Sequence, residues 1–148
     1  MGVDRHLWAR IALVYLSLQS VLVGVWALLA PRSFYDDFPG GGRSWVSVDG
    51  PFNEHLVRDV GALNLALLVL LVAALIRRSR ELIAVACFAA VVWGAPHFVY
   101  HALNRDGLAS VDVVLNLLGL GVFVVLPLSV LFRLPPDGRR PSGADKTT

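Results

Sequence analysis

The segment LALLVLLVAALIRRSRELI, residues 65–83, carries the reading of the fold. Its first twelve residues, Leu65 to Ile76, are apolar all the way round a helix, so no face is left for water. Arg77, Arg78 and Arg80 interrupt the run, and Leu82 begins another apolar one. A wholly apolar helix, a tight basic turn and a second apolar helix make the pattern of two antiparallel membrane spans.

Working outward from that hairpin, four apolar stretches appear: Leu7 to Ala30, His55 to Ile76, Leu82 to Leu103 and Val111 to Leu134. Each is close to the ~20 residues that cross ~30 Å of hydrocarbon at ~1.5 Å per residue. The composition agrees, with 56% apolar and 16% charged residues in a 148-residue chain, and an ordinary soluble domain is excluded on that ground. The expected fold is an all-α, integral membrane four-helix bundle. Residues 1–134 form the transmembrane domain, 31–53 a long external loop, and 135–148 a disordered cytoplasmic tail rich in Pro, Gly and charge. The first stretch is too long for a secretory signal core, and Pro31 would follow its only cleavage-like site, so it is read as a retained span.

Charge sets the orientation. Nine of the thirteen basic residues, including Arg5, Arg10, Arg77, Arg78, Arg80 and Arg133, fall on the side that holds both termini. Seven of the eleven acids fall on the other, which divides the net +2 into about +5 and −3. Basic residues near span ends are retained in the cytoplasm, so both termini are expected there, in a multi-pass protein of the inner (plasma) membrane. The bilayer is the expected surrounding, with a homo-oligomer or a partner membrane protein as further company. Scattered span-end cations do not form a phosphate-binding stripe, and a nucleic-acid partner is not expected.

The first external loop is the exceptional connection. It carries Phe34, Tyr35, Phe38, Trp45 and Phe52 among glycines and aspartates, and is longer than a structureless connection usually is. It reads as a segment that folds back over the outer mouth of the bundle, starting with a short interfacial helix through Arg32 to Phe38, or as an aromatic belt at headgroup level. Cys87 is the single cysteine, lies inside the third span, and reads as a small buried residue.

Ionisable residues entering the spans gather at the outer level. Glu54, His55, Arg58 and Asp59 open the second span, His97 and His101 close the third, and Asp112 begins the fourth. His55 with Asp59 and His97 with His101 are i, i+4 pairs, each on one helix face. Three imidazoles and a carboxylate supply a donor set for Zn²⁺ or another first-row divalent metal, so His55, Asp59, His97 and His101 are candidate ligands. Glu54 and Asp112 are candidates for a general base or a partner of the ligating histidines. Arg58, Tyr100, Asn116 and Trp93 are candidates for contact with a bound ligand. Equally open is a purely structural polar network in a non-enzymatic membrane subunit or scaffold. Pro96, just before His97, is expected to bend the outer end of the third span.

The runs Gly50-Pro51-Phe52-Asn53-Glu54-His55-Leu56-Val57-Arg58-Asp59-Val60-Gly61 and Pro96-His97-Phe98-Val99-Tyr100-His101, together with the four-span layout, resemble the DoxX-like small four-helix membrane proteins, and most nearly uncharacterised four-span proteins of actinobacteria. The resemblance implies the four-helix membrane fold. It implies no catalytic residue, and paired histidines are not a feature associated with that group.

Overall fold

The computed structural model describes residues 3–134; the tail expected at 135–148 lies outside them. Four long helices, α1 (Val3–Leu29), α3 (Glu54–Arg77), α4 (Arg80–Leu103) and α5 (Ser110–Arg133), form the bundle. Between α1 and α3 lie a short helix α2 (Pro31–Asp37), two-residue strands β1 (Pro39–Gly40) and β2 (Arg43–Ser44), and a 3₁₀ turn at Ser47–Asp49.

Local chemistry sets the boundaries. Pro31 has no N–H to lose at a helix start and opens α2 directly after α1. The side chains of Asn53 and Ser79 accept hydrogen bonds from the amides of Leu56 (3.1 Å) and Leu82 (3.2 Å), capping α3 and α4. Arg78 ends α3 in the left-handed conformation, φ 53°, with its amide bonded to the Ala74 carbonyl. Pro96 and Pro127 sit within the continuous α4 and α5.

The helices close a ring in the order α1, α3, α4, α5, with the most extensive packing between α1 and α3 and between α4 and α5. Small residues let the first pair approach. A Cβ on Gly61 would stand 2.6 Å from the Leu28 nitrogen and 2.9 Å from the Gly24 carbonyl oxygen. The crossing therefore needs a bare backbone at that point. The central core is built from Ala12, Leu13, Leu16, Leu71, Ala86, Cys87, Ala90, Phe123 and Val130.

Along the middle of the long helices the outward face is apolar. At most a third of the most apolar part of each long helix is buried within the protein, and all four are long and apolar enough to cross a membrane. Val69, Phe88, Val92 and Leu118 face outward at mid-helix. In water such continuous apolar surface would drive association; hydrocarbon accepts it at no cost. The two ends differ. One, the terminal end, holds the start of α1, the Arg78–Ser79 turn and the close of α5; the other, the loop end, holds residues 30–53 and the α4–α5 connection.

Candidate functional site

The loop end is an ordered cap. Phe34 is buried with Ala27 and Val57, and Trp26, Phe38, Val46 and Phe52 pack round them. Trp26 meets Phe34 edge-on (5.9 Å between centroids), Phe34 lies 4.7 Å from Phe38, and Phe38 meets Trp45 at 6.1 Å. Arg32 lies over the Phe52 ring at 5.0 Å. Tyr35 donates its hydroxyl to the Gly50 carbonyl (2.6 Å), and Ser44 donates to the Asp36 carbonyl (2.6 Å), so the loop is tied at both ends.

At its middle, Pro39–Gly40 pairs antiparallel with Arg43–Ser44. The two turn residues, Gly41 (φ 66°) and Gly42 (φ 76°), both have positive φ, as a type I′ hairpin turn requires. This miniature hairpin sets Arg43 and the following Trp45 over the first turn of α5. Arg43 Nη1 and Trp45 Nε1 (2.9 Å) both donate to Asp112 Oδ1. A carboxylate in the first turn of a helix also complements the helix dipole. On the same side Val48 touches Gly107 in the α4–α5 connection; a Cβ there would lie 3.2 Å from Val48 Cγ1.

Under this cap stands His101. Its ring is about nine-tenths buried, its Nε2 lies 4.0 Å from Asp49 Oδ2, and its Nδ1 has no partner among the described residues. The ring of His97, one turn earlier, meets it edge-on at 4.8 Å and is itself stacked on Trp93 at 5.4 Å. Tyr100, half exposed, flanks His101 at 5.3 Å. Asn116 is buried with its Oδ1 unpartnered. Gly94 against Phe123 and Gly121 against Phe98 fix the register of the α4–α5 hairpin, which puts Asn116 on a level with His101. Burial raises the Asp49 carboxyl above the usual aspartate range, and the neighbouring His101 opposes that shift.

The residues opening α3 face elsewhere. Its buried stripe is Val57, Gly61, Asn64, Leu67, Leu71 and Ala74. His55 and Asp59 lie half a turn from that stripe; they sit 3.4 Å apart with side chains 88% and 62% exposed. The structure thus joins His97 to His101 and adds Asp49, while the His55–Asp59 pair stays outside. Among the described residues, no three His, Cys, Asp or Glu side chains are grouped to hold a metal ion. Glu54 is engaged by Arg58 at 2.8 Å, and Arg58 Nη1 donates to the Leu28 carbonyl. That carbonyl belongs to the last turn of α1, where no intrahelical donor remains. Arg58 therefore caps α1 from α3.

Asp49, Arg43 and Trp45 were not singled out by sequence reasoning as site residues. The signal for the last two was present: a Gly41-Gly42 pair is a hairpin turn, and Arg43 and Trp45, two residues apart on the extended segment leaving it, project to the same side. Asp49 reaches His101 through a turn that sequence spacing does not encode.

No protein-family model matches the chain, and neither does any curated protein or solved structure.

Proposed function

We propose that the chain is a multi-pass protein of the plasma membrane with both termini cytoplasmic, whose loop end faces outward and binds a small polar ligand around His101, Asp49 and His97. The observation that carries this is the His101 ring: it is buried under the cap beside a carboxylate, yet its Nδ1 is unsatisfied. A buried imidazole nitrogen without a partner costs roughly 1–3 kcal/mol, and a donor from a bound molecule would remove that cost. The Asp49 carboxyl and the ring nitrogens of His97 and His101 stand together here, so the favoured ligand brings hydrogen-bond donors or positive charge. A first-row divalent ion fits only if Asp49 moves in as third ligand, because His55 and Asp59 point away.

A second reading has its own observation. The Arg43–Asp112–Trp45 junction and the Arg58–Leu28 bond tie four elements together without any ligand, as a structural network would in a scaffold subunit.

The two separate by experiment. The full chain is purified from membranes, and native mass spectrometry and elemental analysis are run on wild type, His101→Leu and His55→Leu. The binding reading expects a bound species in wild type and His55→Leu that is lost in His101→Leu. A wild type carrying nothing, with His101→Leu at least as thermally stable, supports the network instead. Orientation is tested by thiol labelling of Ser47→Cys in a Cys87→Ala background: impermeant reagent added to intact cells is expected to label it.

A further inference from the structure

The terminal end carries a second feature that the loop-end site does not use. A cavity of about 280 Å³ opens there between α1, α3 and α4. Its floor is apolar, made of Ala9, Leu13 and Ala74, and its rim carries His6, Arg10 and Arg78. Neither arginine has a carboxylate partner among the described residues. Two unpaired guanidiniums beside one cavity repel each other unless an anion lies between them.

Arg78 adds a second observation. It occupies the left-handed position closing α3, φ 53°, where glycine is the unstrained choice. A long cationic side chain therefore stands where the backbone favours none, and it stands on the rim of this cavity. Strain of that kind persists where the surrounding structure or a ligand compensates it.

We infer that this cavity binds the phosphate of an anionic membrane phospholipid, with Arg10 and Arg78 holding the phosphate, His6 beside them, and the apolar floor receiving the start of an acyl chain. The dual lining selects this ligand: guanidiniums match phosphate oxygens in bidentate fashion, and Leu13 and Ala74 match methylenes. Basic pockets between membrane helices at the headgroup level are the expected seats of such lipids. The inference rests on the membrane reading above but not on the ligand proposed for His101.

The test uses the full chain in a neutral detergent, titrated with short-chain phosphatidylglycerol, short-chain phosphatidylcholine and inorganic phosphate. Phosphatidylglycerol is expected to bind most tightly, with Arg10→Gln and Arg78→Gly each weakening it about fivefold. Arg78→Gly is the informative variant. Glycine relieves the positive φ, so its thermal midpoint is expected at or above wild type while lipid binding falls. Equal binding of the two lipids, unchanged binding in the double variant, or inorganic phosphate binding as tightly as the lipid would each overturn the inference. Alkaline extraction of membranes is run in parallel. A chain released by it has lost the membrane reading, whereas a chain that is retained but indifferent to phosphatidylglycerol has lost only this inference.

Discussion

Replacing Gly61 by alanine is expected to loosen the whole α1–α3 contact. The new methyl would begin 2.6 Å from the Leu28 nitrogen, 2.9 Å from the Gly24 oxygen and 3.0 Å from the Leu28 Cα, all backbone atoms. Ordinary contact begins near 3.5 Å, so the helices must part by about 0.9 Å, since no side chain can swing aside. Overpacking of that kind costs about 3 kcal/mol at its upper range. Alanine regains about 1 kcal/mol of helix propensity over glycine, leaving a net loss of about 2 kcal/mol. For a chain of this size that is a fall of roughly 4–8 °C in the unfolding midpoint. The retreat also draws the Leu28 carbonyl away from Arg58, one turn before Gly61, so Gly61→Ala and Arg58→Ala should be less than additive. Thermal unfolding of the detergent-solubilised protein reads the effect. Gly119→Ala is the control: its Cβ meets nothing within 4 Å, and a gain of about 0.5–1 kcal/mol is expected. A Gly61→Ala protein as stable as wild type would refute the close-crossing argument.

Three other outcomes follow from the loop end. The folded protein holds the Asp49 proton more tightly than the unfolded chain does. Its favourable contribution is therefore present below the ordinary aspartate pKa and is lost as pH rises through the raised folded value. Asp49→Asn should raise the unfolding midpoint at pH 7 and leave it unchanged in strong acid; a lower midpoint at pH 7 would mean that the His101 contact outweighs burial. Trp45→Phe removes one of the two donors to Asp112 and should speed hydrogen exchange at the amides of residues 40–45 while α3 and α4 stay protected; unchanged exchange would show that the indole bond does not hold the hairpin. The double change His55→Ala, Asp59→Ala touches only exposed groups, so stability should stay within about 0.5 kcal/mol, and a larger loss in calorimetry would place that pair in an unforeseen contact.

The four long helices were legible because helices apolar enough to cross a membrane need no periodicity; Leu65 to Ile76 declares itself by having no polar side. The start of the short helix after Pro31 and the end of the loop at Asn53 were legible in the sequence, whereas the side-chain caps at Asn53 and Ser79 come from the structure. Which face of a helix turns inward was not legible. An i, i+4 pair tells that His55 and Asp59 share a face, but the inward face of α3 is chosen by Gly61, whose lack of a side chain admits α1, and that choice turns the pair away. In α4 the buried Gly94 leads instead to a buried His101. A bundle without a polar surface gives no amphipathic stripe from which these rotations could be read.

The junction at Asp112 also has a place in time. Its donors, Arg43 and Trp45, precede it by 69 and 67 residues along the chain. At ~5–20 residues per second of synthesis, the hairpin carrying them waits roughly 3–14 s for its acceptor. α1 and α3, with the Arg58–Leu28 bond and the Phe34 packing on Ala27 and Val57, are available by then, but the two donors have no acceptor until the last helix begins. The junction therefore cannot close before the first turn of α5 is made, and a chain truncated before α5 would keep the Arg43 guanidinium and the Trp45 indole N–H without this acceptor.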